Sequence, residues 1–201
     1  MATEFSMLGI MNAALLAQGQ EEILSMNDGS VEWRLLFRNW PGIVEAELED
    51  SNYQFTREQQ QLVTRTDGKF MFDDGYLIPA EALHVRKLWI EDSSGNTYSA
   101  DWIQDGSYVY LDYDEGCWIE YIVANDPDLW SASFSRGIQL KLEALISRAV
   151  KEEIGEARDL EAMAEIQLQR ARSSSSRQRS ATKPYKAGAI SKARRGRRWH
   201  G

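Results

Sequence analysis

The chain has 201 residues, of which 43% are hydrophobic and 10% aromatic, so we expect one domain with an appended segment. Its single cysteine, Cys117, excludes an intrachain disulfide and a cysteine-rich zinc site. The sequence shows no signal peptide and no apolar run near the roughly 18 residues of a membrane helix, which predicts a soluble protein made inside the cell.

Charge is divided between two segments of opposite sign. The formal net charge of -8 comes from 23 Lys and Arg against 31 Asp and Glu. Residues 170–201 hold eleven of the basic residues and no acidic residue, whereas residues 1–169 hold 12 basic and all 31 acidic residues. This split predicts an acidic folded body and a basic arm that binds something other than the body.

Two helices are predicted in the first fifty residues. Apolar residues spaced three and four apart indicate a helix over about residues 3–18, with Thr3 as its N-cap and Gly19 as its stop. A second helix is predicted over about residues 30–50. Because proline does not continue a helix without a kink, we expect a kink or a new helix at Pro41.

The middle of the chain is predicted to be β-rich, because short β-branched and aromatic runs alternate with turn residues. Residues 61–72 predict a hairpin around the turn Asp67-Gly68. We expect one small antiparallel meander, inserted over about residues 57–123. Its further strands are predicted at 84–90, 98–103, 107–111 and 117–123.

Helical spacing returns near the C-terminus and predicts helices over about residues 133–152 and 155–171. The serine run Ser173–Ser176 is expected to open a basic C-terminal arm, residues 173–201, which is too polar to form a core alone. The predicted fold is therefore α+β. In the body, residues 1–172, the N- and C-terminal helices pack as a bundle with the small antiparallel sheet inserted, and the extended arm follows.

Few residues suggest catalysis or metal binding. His84 and His200 have no second ligand cluster at a useful spacing, so no metal site is expected. Cys117 lies in an apolar strand, which favours a packed thiol over a nucleophile. The acidic turn at Asp112–Gly116 does not fit a calcium loop, because Val123 occupies the position of the bidentate glutamate. We expect no catalytic residue, no cofactor and no enzyme activity.

The seven tryptophans have two possible interpretations, core packing and base stacking. Trp33, Trp89 and Trp118 lie among apolar neighbours, which favours core packing for them. Only Trp199 lies in a basic stretch.

Short blocks spread over about residues 7–172 carry a resemblance to one protein family. In chain order they are Asn12–Gly19 with Ile23 and Ser25, Trp40–Leu48 with Tyr53–Phe55, Gly75–Val85, and Ile119–Ile122 with Asp126–Trp130 and Phe134. In this order and spacing the chain resembles the head-to-tail adaptors of tailed bacteriophages, the portal-binding connectors of the tail tubular protein A type. The basic arm is unusually long for that family.

The resemblance implies a structural virion protein at the head–tail junction, made in the host cytoplasm. Family members form a twelve-subunit ring that docks on the portal through its helical part. On the side of their sheet, the DNA channel continues into the next tail component. The expected partners are therefore the portal protein, a downstream tail or nozzle protein and further copies of the chain. DNA passes through the channel, and no membrane is involved.

The resemblance further implies that the C-terminal arm contacts the portal. Apolar side chains within it favour this interpretation, because a pure polyelectrolyte needs no apolar anchors. Two alternative roles of the arm stay open, namely contact with the phosphates of DNA in the channel and a solvated tail with no partner. The alternative function of the whole chain is that of a nucleic-acid-binding accessory protein that acts through this basic tail. The candidate portal-binding residues are Arg177, Arg179, Lys183, Tyr185, Lys186, Ile190, Lys192, Arg194, Arg195, Arg197, Arg198 and Trp199.

Overall fold

The computed structural model describes residues 6–25, 29–51 and 53–177, and within these ranges the chain is a mixed α and β protein. Four helices precede and follow two small antiparallel sheets. The helices are α1 (Met7–Ala17), α2 (Val31–Asp50), α3 (Ala132–Ala149) and α4 (Ile154–Arg177), with 3-10 turns at Gln54–Thr56 and Pro127–Leu129.

Eight strands lie between α2 and α3. Sheet I has the strand order β1-β8-β4-β5, and sheet II has the order β2-β3-β7-β6, with antiparallel neighbours throughout. The strands are β1 (Arg57–Leu62), β2 (Arg65–Asp67), β3 (Asp74–Leu77), β4 (Ala82–Glu91), β5 (Thr97–Ser99), β6 (Ile103–Asp105), β7 (Tyr108–Leu111) and β8 (Cys117–Val123).

Serine hydroxyls fix the starts of three helices. The side chains of Ser6, Ser30 and Ser131 each accept a hydrogen bond from the backbone N–H three residues further on. Because Ser6 has an extended backbone, the first helix begins at Met7 and not near residue 3 as predicted. The predicted cap Thr3 lies outside the described residues.

Helix α2 continues through Pro41 as one helix over Val31–Asp50. The prediction of a new helix at Pro41 is therefore wrong. Trp33 before the proline and Val44 and Leu48 after it are buried in the same core, so packing on both sides of the proline holds the helix together.

The first hydrophobic core contains side chains from all four helices. Helix α3 packs against both α4 and α1. Phe134 at the start of α3 is fully buried and lies edge-on to Tyr53, Phe55 and Trp130, with ring centroids 4.7 to 5.3 Å apart. The largest fully buried members of this core are Met11, Leu15, Leu36, Leu48, Tyr53, Ile122, Phe134 and Ile138.

Gly137 lets α3 and α4 approach each other closely. A Cβ at this position would lie 2.6 Å from Cγ and Cδ2 of Leu168 in α4. We expect Gly137→Ala to lower the free energy of unfolding by about 1–2 kcal/mol, because overpacking outweighs the better helix propensity of alanine. Urea denaturation followed by circular dichroism measures this change.

Gly42 provides the matched control, since it also lies inside a helix but has open space around its Cα. Gly42→Ala should raise the free energy of unfolding by about 1 kcal/mol through helix propensity alone. A stabilised Gly137→Ala protein would show that the two helices are free to separate at this point.

The predicted hairpin over residues 61–72 is wrong in its second strand. Strand β2 pairs with β3, with Arg65 opposite Tyr76, and residues 68–73 form the connecting loop. The ring of Phe70 packs edge-on to Tyr110, so an apolar residue of this loop anchors it to sheet II. Gly68 is required there, because a Cβ would lie 1.9 Å from the carbonyl oxygen of Phe72.

The single predicted meander is two sheets. The run 98–103, predicted as one strand, is divided: Ser99 in β5 pairs with Trp89 of sheet I, and Ile103 in β6 pairs with Tyr110 of sheet II. A second hydrophobic core draws on strands of both sheets. It includes Leu62, Tyr76, Val85, Val109, Leu111, Cys117, Ile119 and Tyr121.

Helix α4 is longer than predicted and runs to Arg177, so Ser173–Ser176 are helical and do not open the arm. The hydroxyl of Ser173 donates to the carbonyl of Gln169, which satisfies a hydroxyl that would otherwise compete with the helix. The break between α3 and α4 lies at residues 150–153, where Glu152 has a φ of 58°.

Candidate partner-binding site at the end of helix α4

Helix α4 ends the described part of the chain, and most of the basic C-terminal residues follow it in the sequence. Of the candidate portal-binding residues, only Arg177 lies in the described ranges, as the exposed last residue of α4. Residues 178–201, called the terminal segment from here on, lie outside these ranges and contain the other candidates. The terminal segment holds eight Lys and Arg and no Asp or Glu.

A buried carboxylate in α2 holds this end of α4 in place. Glu47 is 4% exposed, and its Oε1 accepts hydrogen bonds from Nη2 of Arg172 at 2.7 Å and from the hydroxyl of Tyr53 at 2.8 Å. Its Oε2 accepts from Nζ of Lys141 in α3 at 3.1 Å. The Glu47 network, as we call these contacts, therefore joins α2, α3, α4 and the residues after α2.

Arg172 uses its remaining donors on two further partners. Its Nε donates to Oγ of Ser51 at 2.8 Å, and its Nη1 donates to Oε1 of Glu165, two helical turns earlier in α4, at 2.6 Å. A planar guanidinium suits such simultaneous contacts, because its donors point in fixed directions. Arg172 therefore connects the end of α4 to the end of α2 by several bonds at once.

The electrostatics of the network favour the ionised form of Glu47. Burial by itself raises the pKa of Glu47, but hydrogen bonds from Arg172 and Tyr53 and the charge of Lys141 outweigh it, so the pKa is lowered. Burial and the neighbouring Glu47 carboxylate raise the pKa of Tyr53, which keeps this hydroxyl protonated as a donor.

A second contact fixes the last turn of α4. The buried Ser175 accepts a hydrogen bond from the backbone N–H of Gln54 at 2.6 Å. Gln54 begins the 3-10 turn that leads directly into β1. The last turns of α4 are thus tied both to α2 and to the 3-10 turn before β1, within two helical turns of Arg177.

The exposed side of this helix end has a composition that suits a partner with acidic or phosphate groups. Beside α4 lies an open groove of about 420 Å³. Its lining combines two guanidinium groups with hydroxyls and one aliphatic side chain: Ile166, Gln169, Arg170, Ser173, Ser174 and Arg177.

The Glu47 network was not predicted from the sequence. One signal was available, because Glu47 lies three residues after Val44 and directly before Leu48, within the apolar stripe of α2. An acidic residue in such a stripe points to a buried partner. The identity of that partner was not accessible, since Arg172 is 125 residues away.

The other candidate sites show no catalytic arrangement in the residues that the structure describes. His84 is exposed on β4. The packed thiol is confirmed, since Cys117 is buried and burial raises its pKa to about 12. Within the described ranges no three His, Cys, Asp or Glu residues are grouped as metal ligands, and no helix has the length and apolarity to span a bilayer.

The tryptophans divide between core and surface. Trp33 is 4% exposed and Trp130 is 6% exposed, so both belong to the helical core. Trp89 and Trp118, predicted to be core residues, are only half-buried and lie side by side as cross-strand partners in sheet I.

No protein-family model matches this chain, and no curated protein matches it with significance.

Proposed function

We propose that the chain is a head-to-tail adaptor of a tailed bacteriophage, a structural virion protein that forms a ring joining the portal to the tail and continuing the DNA channel. The observation that carries the proposal is the Glu47 network, which fixes the end of α4 where the basic terminal segment begins. The resemblance of residues 7–172 to that family supplies the rest of the support.

In this proposal each part of the fold has a separate role. The four helices form a bundle that faces the portal, and the two sheets project from it toward the downstream tail or nozzle protein. A ring of twelve copies places the body around the channel. The terminal segment acts as an extended arm, which at about 3.3 Å per residue reaches on the order of 80 Å from Arg177.

A fixed starting point gives such an arm a physical advantage. A flexible segment that folds on its partner loses conformational entropy as it becomes ordered. Because Arg172 and Ser175 already hold the last turns of α4, only residues beyond Arg177 contribute to that cost. Arginine and aromatic side chains then provide anchors on the portal surface.

The structure defines where a truncation that tests this role must end. A chain that ends at Gln169 loses Arg172 and Ser175 and leaves Glu47 without its main partner. A chain that ends at Arg177 keeps the whole network. We therefore compare the full chain, residues 1–177 and residues 1–169 for co-purification with the portal protein encoded in the same genome.

We expect the full chain to form rings on the portal and residues 1–177 to bind it much more weakly while keeping the melting temperature of the full chain. Residues 1–169 should melt at a lower temperature. Equal portal binding by the full chain and by residues 1–177 would show that the arm does not contribute to the interface with the portal. No portal binding by the full chain would contradict the proposed adaptor function.

A second candidate function is that of a nucleic-acid-binding accessory protein. The observation that favours it is the terminal segment, with eight basic and no acidic residues. Phosphate contacts give an affinity that falls steeply with salt. This function predicts that the full chain retards duplex DNA at low salt and that residues 1–177 do not, and the absence of a shift contradicts it.

A further inference from the structure

The outer face of sheet I is an aromatic surface that no other element of the described chain covers completely. Trp89 and Trp118 are directly opposite each other on β4 and β8, with ring centroids 6.3 Å apart and planes within 6° of parallel. The indole N–H of Trp118 donates to Oε2 of Glu91 at 3.1 Å. We call Trp89, Trp118 and Glu91 the Trp face.

Carboxylates surround one end of the Trp face, the end at which β4 finishes at Glu91. The Tyr113 hydroxyl donates to Oε2 of Glu115 and lies near Asp114 and Asp92, which places these acidic side chains around one end of sheet I. Hydrogen bonds, chiefly from Asn96, lower the pKa of Asp92 to about 2. The Asp92 carboxylate therefore stays negatively charged at neutral pH.

The acidic side chains at this end of sheet I, Glu91, Asp92, Asp114 and Glu115, are called the rim carboxylates, and they differ from the rest of the sheet in their ion pairing. Near the middle of the same face, Glu120 forms ion pairs with Arg57 and Lys87. In residues 6–25, 29–51 and 53–177, by contrast, no Lys or Arg forms an ion pair with a rim carboxylate.

The terminal segment has the charge and composition to cover this face. Its eight cationic side chains complement the rim, and a guanidinium or ammonium group above an indole is attracted by the negative face of the ring. It also carries Tyr185, Ile190 and Trp199, which supply apolar contact area beside Trp89 and Trp118.

The exit point of the terminal segment lies beside sheet I. Ser175 in the last turn of α4 bonds to Gln54, three residues before the first residue of β1. Strand β1 runs from that end, where Arg57 pairs with Ile122, toward the end where Gln61 pairs with Trp118. Four residues of strand span about 13 Å, well within the reach of 24 residues of chain.

We propose that in the free protein the terminal segment of the same chain lies across the Trp face, with its cationic side chains over the two indoles and beside the rim carboxylates. A tether of this length keeps the segment at a high effective concentration near its own body, which favours its own chain over a second copy. A stronger partner displaces it.

This position of the terminal segment would limit its non-specific binding to nucleic acid. An exposed basic segment binds cellular nucleic acid non-specifically through phosphate contacts. Contact with the Trp face screens these charges until a partner competes for the segment. The inference needs only the acidic body and the basic segment, so it stands independently of the adaptor function.

Photo-crosslinking of the full chain tests the proposal. Trp199→p-benzoylphenylalanine places the crosslinker in the terminal segment, and an equal mixture of ¹⁴N- and ¹⁵N-labelled protein separates crosslinks within a chain from those between chains. We expect crosslinks within one chain to peptides that contain Trp89 or Trp118, identified by mass spectrometry.

Charge reversal provides the matched comparison. Asp114→Lys with Glu115→Lys should abolish these crosslinks and tighten duplex DNA binding at low salt, since the segment is released. Glu22→Lys with Asp159→Lys changes the net charge equally at two exposed sites outside the sheets and should leave the crosslinks in place. Near-ultraviolet circular dichroism confirms that both variants are folded.

Three results overturn the proposal. Crosslinks between ¹⁴N and ¹⁵N copies would assign the Trp face to the segment of a second copy. Crosslinks scattered over the body, or absent, would show that the segment has no preferred position. Crosslinks unaffected by reversal of the rim charges would show that the rim does not hold it.

Discussion

Replacing Phe134 with alanine lowers the free energy of unfolding by about 3–5 kcal/mol, the cost of emptying a fully buried aromatic site. Phe134 is 0% exposed and forms edge-on contacts with Tyr53, Phe55 and Trp130. These three residues come from the segments before and after the sheets, so the cavity would open at the junction of the helices and sheet I. Urea unfolding followed by tryptophan fluorescence measures the change.

Two further variants make this result interpretable. Phe37→Ala removes the same side chain from a helix position that is 47% exposed, and it should cost only about 0.5–1 kcal/mol through loss of stacking on Trp33. Phe134→Leu keeps most of the side-chain volume, so this variant should stay folded even if Phe134→Ala does not fold. Equal losses at positions 134 and 37 would contradict the packing described for α3.

The Arg172→Ala protein should be less stable by about 2–4 kcal/mol at pH 7, because it leaves the buried Glu47 carboxylate without its main partner. The loss stays below that of an isolated buried charge, since Lys141 and Tyr53 still bond to Glu47. Arg172→Lys should recover little stability, because one ammonium group does not reach Ser51, Glu47 and Glu165 together.

The pH dependence of this loss follows from the direction of the Glu47 shift. Because the pKa of Glu47 is lowered in the folded protein, its contribution to stability is complete above the ordinary value of 4.5 and decreases as the pH falls through the folded value. The difference between wild type and Arg172→Ala should therefore shrink below about pH 4.5, where a protonated Glu47 no longer requires a cation.

Unfolding curves between pH 3 and pH 7 measure this dependence. Arg158→Ala removes an exposed arginine of the same helix and should leave stability nearly unchanged at every pH. In a Glu47→Gln background, Arg172→Ala should cost much less than in wild type, which is the coupling expected for a direct pair. A loss that is constant with pH would place the effect of Arg172 elsewhere.

Local patterns in the sequence predicted much of the secondary structure. The strand predicted at residues 117–123 is confirmed with the same bounds as β8, and the helix predicted over 30–50 is confirmed as α2. Both have strong local signals, an apolar β-branched run and an apolar stripe with a serine cap at Ser30. The mixed α and β class and the antiparallel pairing were also predicted correctly.

Features that depend on distant partners were not predicted. The division of residues 98–103 between two sheets depends on pairing with Trp89 and Tyr110, and no local pattern specifies these partners. Ser173–Ser176 have weak helix propensity, and the helix continues through them because Arg172 and Ser175 bond to the end of α2 and to Gln54. The Glu47 network combines residues from opposite ends of the chain for the same reason.

The packing of α1 against α3 has a consequence for how the protein is made. Helix α1 ends at Ala17, but its main partner begins only at Ala132, after both sheets in the chain. At about 5–20 residues per second, the ribosome supplies that partner on the order of ten seconds after α1 emerges. The strands are synthesised within this interval. We therefore expect the sheets to fold first on the ribosome, with the apolar side of α1 exposed to chaperones until α3 is released.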